Sequence, residues 1–174
     1  MAQRIRRKVF ISYHHDDQKE VEDFIKKFDE YHDVFLSRAV GMTNDLIDST
    51  DPDYIMRRIR EEYLTDSTVT IIMIGKCTWG RKYVDWEIAS TLRNDSRNKR
   101  SGLVGITLPY MADQRKELPP RFKDNYDSGY AKWYKYPKSP EVLFDIIEEA
   151  YEARTQKENL VKNSRKLFSY NREC

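Results

Sequence analysis

Thr68-Val69-Thr70-Ile71-Ile72-Met73-Ile74, closed by Gly75, is almost continuously apolar and β-branched. Such a run fits a central strand buried on both faces, as strands of parallel sheets are. Upstream, Lys8-Val9-Phe10-Ile11-Ser12-Tyr13 is a second β-branched and aromatic run that ends in the polar cluster His14-His15-Asp16-Asp17, which reads as a buried strand followed by a loop. Val21, Phe24, Ile25 and Phe28 then fall at i, i+3, i+4 and i+7 with charged residues between them, the stripe of a helix packed on a sheet. Val34-Phe35-Leu36 suits a brief strand, and the stretch from there to Ser49 follows neither period, which predicts a long functional loop. Thr50-Asp51-Pro52-Asp53 has a capping Asp and a Pro at the first helical position, so a helix is expected over 54–63 with Ile55, Ile59 and Tyr63 on one side.

Downstream of the central run, Lys76 to Gly80 makes a loop and Lys82 to about Arg93 a helix. Gly102 to Thr107 reads as a strand, and Ala131 to Tyr134 as a last short one. Ser139-Pro140-Glu141 opens a helix with Val142, Leu143, Ile146, Ile147 and Ala150 on its inner face. Arg93 to Ser101 reads as a solvated turn. Strands alternating with helices define an α/β class: a flavodoxin-like three-layer domain with a central, mainly parallel sheet and right-handed crossovers. With 174 residues the chain is expected to form one domain over 1–154, followed by a polar C-terminal extension over 155–174 whose apolar anchors are Leu160, Val161, Leu167 and Phe168. In such sheets the working groups gather at the carboxyl ends of the strands: residues 12–17, 36–51, 75–83 and the loop after Thr107.

Composition removes several function classes. Lys and Arg number 31 against 29 Asp and Glu, a net charge of +2, so the basic field of a dedicated nucleic-acid binder is missing. Two cysteines, Cys77 and Cys174, make neither a disulfide framework nor a metal set, which points to a reducing, intracellular setting with Cys77 as loop or core filler. The start MAQRIRRKVF lacks a signal peptide's apolar region, and no stretch approaches the ~18 apolar residues of a membrane span, so a cytoplasmic protein without a membrane partner is expected. Neither GxxxxGK[ST] nor GxGxxG occurs, which argues against a P-loop or a dinucleotide-type site. His14, His15 and His32 lack metal-ligand spacing with the cysteines; the HHDD cluster is the one dense enough to weigh for a cation, and no metal is expected. Asp16-Asp17 invites a phospho-receiver reading, but the central strand ends in Met73-Ile74-Gly75-Lys76, where a receiver needs its Asp.

The remaining chemistry lies in Trp79-Gly80-Arg81-Lys82-Tyr83-Val84-Asp85-Trp86-Glu87-Ile88. Tyr83 and Glu87 are four apart and share a helix face, so an aromatic ring stands one turn from a carboxylate. That neighbour can desolvate the acid and stack a flat cationic group. On spacing alone, an ordinary amphipathic helix with Tyr83, Trp86 and Leu92 on the sheet and Glu87 in water is the favoured reading.

Strand one with Val9 to His14, the strand Ser67 to Gly75 and the helix segment Tyr83 to Ile88 together resemble TIR-like proteins of bacteria and archaea, most closely the Thoeris anti-phage class, ThsB. The resemblance runs in register over about Lys8 to Thr107. It implies that Glu87 stands at the catalytic glutamate of a WxxxE signature, with Tyr83 in place of the usual Trp. It also implies that Ser12, Tyr13 and His14 line a nucleotide pocket, with Trp79 and Tyr83 helping to keep it dry, and that residues 36–51 stand where the family's access loop lies. The implied activity is that of an NAD glycohydrolase and ADP-ribosyl cyclase: NAD is substrate rather than cofactor, nicotinamide leaves, and ADP-ribose closes into a cyclic signal for a separate effector protein. Self-association for activity and a phage-derived trigger are further implications. His14 could orient a phosphate or ribose hydroxyl or be a structural loop histidine, and Arg81 and Lys82 could meet a pyrophosphate or be solvated. Two alternatives stand beside this reading: a catalytically silent TIR-like interaction module, and a nucleoside deoxyribosyltransferase-like enzyme.

Overall fold

The computed structural model describes residues 3–40, 49–64, 66–96 and 99–174. Five strands, β1 (Arg7–Ser12), β2 (Phe35–Val40), β3 (Val69–Ile74), β4 (Gly102–Thr107) and β5 (Lys132–Tyr134), form one sheet in the order β2-β1-β3-β4-β5. Every pairing is parallel, with Ile11 opposite Ile71 and Ile71 opposite Val104 across the centre. The helices are α1 (Gln18–Ile25), α2 (Pro52–Ile59), α3 (Lys82–Leu92), α4 (Pro120–Asp127) and α5 (Pro140–Gln156). Both α1 and α2 run on into π-helical turns, over Lys26–Glu30 and Arg60–Leu64.

The period of two along each strand divides the core into layers. Val9, Ile11, Val69, Ile71, Met73, Val104 and Ile106 face Val21, Phe24 and Phe28 of the first helix and Leu143, Ile146 and Ile147 of α5. Phe10, Ile72, Ile74 and Leu103 face the other way, toward Ile55 and Ile59 of α2, Trp86, Ile88 and Leu92 of α3, and Phe122 of α4. The flavodoxin-like three-layer α/β fold expected from the sequence is therefore the observed one. Chain connections leave β1 toward the β2 edge and β3 toward the β4 edge, so the carboxyl ends of β1 and β3 part and leave a crevice, the usual place for a ligand in such sheets.

Four details differ from the sequence reading. The brief second strand extends over Phe35–Val40, and the core of the expected loop, 41–48, lies outside the described residues. Val142, expected on the inner face of α5, is 44% exposed, because Leu143, Ile146, Ile147 and Ala150 alone complete the stripe. Helix α4 was not anticipated: its apolar contribution is little more than Phe122, and its other buried side chains are Arg121 and Asn125. Finally, Cys77 and Cys174 are joined in a disulfide across 97 residues of sequence. The pairing was invisible to spacing because the fold, rather than the local chain, returns the C-terminus to the loop after β3.

That return explains the buried polar residues. Past α5 the chain crosses α4 and α3 as an extended segment. Asn125 brackets Lys162 with its side-chain amide, donating to its carbonyl (2.7 Å) and accepting from its N–H (2.8 Å). Arg121, paired with Asp85 at 2.9 Å with both side chains 1% exposed, also donates to Asn163 Oδ1 and to the carbonyls of Arg165 and Lys166. Asp85 accepts the Phe168 N–H (2.9 Å), and the Trp86 indole donates to the Phe168 carbonyl (2.8 Å).

Candidate active site

The site is built from the loops that follow β1 and β3 and from the first two turns of α3. Ser12 is the last residue of β1 and is fully buried, and Tyr13 and His14, also buried, continue from it. His14 Nδ1 accepts the Asp16 N–H (3.1 Å) and so caps the short turn His15–Asp17. Burial, and after it the neighbouring His15, lower the His14 pKa against the opposing pull of Asp16; Arg81 adds a smaller push downward. His14, His15 and Asp16 bring ligand-type atoms within 4.8 Å of one another, with His15 and Asp16 exposed.

After β3, Thr78 fixes the loop: its hydroxyl accepts the Gly75 N–H (2.9 Å) and donates to the Met73 carbonyl (3.2 Å). Trp79, half-buried, stands on this loop, and α3 starts at Lys82. Tyr83 meets Trp86 edge-to-face with ring centroids 5.4 Å apart, and the Lys82 ammonium lies 5.1 and 4.9 Å from the two ring centroids. Trp86 itself turns toward Ile55 and Ile59 of α2.

Glu87 lies one turn beyond Tyr83 and is 1% exposed. The amphipathic reading that put this carboxylate in water is corrected: α3 is buried on both sides, since the sheet covers one face and α2, α4 and the C-terminal segment cover the rest. Burial first, then the charges of Glu22 and Glu87, raise the Tyr13 pKa. The structure thus brings Tyr13 and Glu87 into one neighbourhood and sets Tyr83 one turn before the carboxylate.

Two cavities flank this neighbourhood. One, of about 300 Å³, opens at the β1/β3 crevice and is lined by His14, Asp16, Asp17, Glu20, Lys76, Cys77 and Tyr110. The other, of about 460 Å³, lies between the start of α2, Lys82 and Trp86 of α3, and residues 166–169 of the C-terminal segment. Glu87 lines neither of them.

The first cavity contains a pair that sequence reasoning missed. The Tyr110 hydroxyl donates to Asp17 Oδ1 (2.6 Å) and accepts the Lys76 N–H (2.9 Å), so it ties together the loops after β1, β3 and β4. Asp17 is 5% exposed and seats against Gly75, where a Cβ would stand 2.0 Å from its Oδ2, so only glycine leaves room for it. Burial raises the Asp17 pKa although the tyrosine bond opposes this, and burial together with Asp17 pushes Tyr110 up to about 12. Asp17 was visible in the HHDD cluster; Tyr110 carried no signal beyond its place after a strand's carboxyl end.

An all-parallel sheet in the order 2-1-3-4-5, covered by helices on both faces, defines a flavodoxin-like α/β domain. The family described as Thoeris protein ThsB, TIR-like domain, matches residues 10–113, and the chain belongs to it. Membership places the chain among the proteins of Thoeris anti-phage defence. No curated protein matches the sequence. No helix among the described residues is long and apolar enough to cross a membrane.

Proposed function

We propose that this protein cleaves the nicotinamide–ribose bond of NAD and closes the ADP-ribose unit into a cyclic signal read by a separate effector. The observation that carries this reading is Glu87, a carboxylate buried on α3 one turn from Tyr83. Nicotinamide leaves a cationic pyridinium with the bonding pair and departs neutral, so no acid has to protonate the leaving group, unlike ordinary glycoside hydrolysis. One carboxylate suffices: it holds the ribose hydroxyls and stabilises the oxocarbenium-like charge at C1′, more strongly in a dry site than in water. An adenine nitrogen of the same molecule, folded back, captures C1′, and the proximity of the two ends favours ring closure over attack by water. Ser12, Tyr13, His14, Trp79 and Tyr83 wall the substrate, and self-association completes the active form.

One observation favours the silent interaction module instead. Glu87 is covered, and neither flanking cavity reaches it. The catalytic reading therefore requires an opening movement, and α3's covering elements are where it must occur. The test is NAD consumption with product analysis in lysates of infected and uninfected cells. Loss of NAD and appearance of a cyclic product only with the wild-type chain, and not with Glu87→Ala, supports the enzyme. Deoxynucleoside exchange without NAD loss moves the assignment to a deoxyribosyltransferase, and neither reaction moves it to the module.

A further inference from the structure

We propose that the Cys77–Cys174 disulfide is a thiol-exchange site that latches the C-terminus over the candidate active site, and that a dithiol reductant unlatches it. Cys77 sits on the loop after β3 and lines the cavity at the β1/β3 crevice, so the bond lies at the mouth of the site. Cys174 is exposed, as is every residue from Ser169 onward. A small dithiol or a redox protein can reach it, and exposed disulfides are typically the labile, regulatory or catalytic ones.

The C-terminal segment is held in two different ways. Up to Phe168 it is fixed from the interior, by Arg121, Asp85, Asn125 and Trp86. Beyond Phe168 it is held by the disulfide, by the Arg172 guanidinium over the Phe168 ring (4.2 Å), and by hydrogen bonds to one short stretch of the candidate site. Lys82 N–H donates to Asn171 Oδ1 (2.8 Å), Arg172 N–H donates to the Gly80 carbonyl (2.9 Å), and the Arg81 guanidinium donates to the Arg172 carbonyl. The same stretch, 80–82, joins Trp79 to Tyr83. With the disulfide closed, the last residues and the start of α3 restrain each other. With it open, exposed hydrogen bonds compete with water and the end is free to leave.

The exchange is balanced. A reductant thiolate attacks Cys174 Sγ and displaces Cys77 as a thiolate, giving a mixed disulfide. The reductant's second thiol then attacks its own bound sulfur and releases Cys174. Two electrons and two protons pass to the protein, and the dithiol leaves as a disulfide. The functional part rests on the NAD reading: unlatching releases residues 80–82, at the start of α3 and just ahead of Tyr83 and Glu87, from the last residues of the chain.

The test compares the full-length chain, oxidised with diamide or reduced with dithiothreitol, by hydrogen exchange and by NAD consumption. On reduction the Lys82 and Arg172 amides are expected to exchange about tenfold faster while the Lys162 and Phe168 amides keep their protection. Cys174→Ser is expected to show the reduced pattern with or without reductant. Two free thiols after oxidation, equal exchange in both forms, or loss of protection spreading through 162–168 overturns the latch. Faster exchange with a rise in NAD cleavage supports both readings. Faster exchange with no NAD cleavage by either form, assayed in lysate from phage-infected cells, leaves the latch standing and sinks the NAD reading alone.

Discussion

Asp85 lies two residues before the proposed catalytic Glu87, and its work is structural. It faces Arg121 in a fully buried pair, and through it the helix α3, the helix α4 and the C-terminal segment are tied at one point. Removing one partner leaves the other charge buried alone, so Arg121→Ala is expected to lower stability by about 3–5 kcal/mol, read as a shift of the denaturation midpoint in urea. A midpoint within error of wild type would mean that the node holds nothing. Asp17 makes a different prediction. Its folded pKa is raised above the ordinary 3.8, so the folded chain binds that proton more tightly than the unfolded chain does. This contribution to stability is present at and below the ordinary value and is lost as pH rises through the higher folded value. Tyr110→Phe removes the bond that favours the carboxylate, and is expected to move the Asp17 titration further up, measured by NMR of its carboxyl carbon; a lowered midpoint contradicts the assignment.

Elements with a strong period were legible in the sequence, and those built on polar anchors were not. β3 is buried at every residue, so its apolar run carries the whole signal, and β4 and α3 were bounded correctly by the same logic. Helix α5 was marked by its cap, where Ser139 Oγ accepts the Val142 N–H (3.2 Å); Ser139→Ala is expected to cost about 1 kcal/mol in thermal or chemical unfolding. Helix α4 carries no such stripe, because Arg121 and Asn125 go inward to hold a segment forty residues further on, a pairing that no local window contains. For the same reason the four-residue spacing puts Glu87 on the face of Tyr83 and suggests partial desolvation, while its full burial depends on cover from α2, α4 and the C-terminal segment, which no local window contains. Gly102 is a further case of distant dictation: a Cβ there would stand 2.1 Å from the Ala150 carbonyl oxygen of α5. Gly102→Ala should therefore push α5 from the sheet and lower stability by about 1–3 kcal/mol.

At the scale of the whole molecule, the sheet sets out a crevice at the carboxyl ends of β1 and β3, and the C-terminal segment returns to Cys77, on the loop that lines it. A bond that spans 97 residues constrains the unfolded chain strongly, so reduction is expected to lower the unfolding free energy by about 2–4 kcal/mol in addition to freeing the last residues. Fold and family are those of the Thoeris ThsB TIR-like domain, and the chemistry assigned to that domain here depends on one covered carboxylate. The most direct test is NAD consumption by the purified, reduced chain and by its Glu87→Ala variant, each in lysate from phage-infected cells, with products resolved by mass spectrometry. The account predicts nicotinamide release and a cyclic ADP-ribose product from the wild type and neither from Glu87→Ala. Equal NAD levels with the two proteins, while both fold alike, would contradict it.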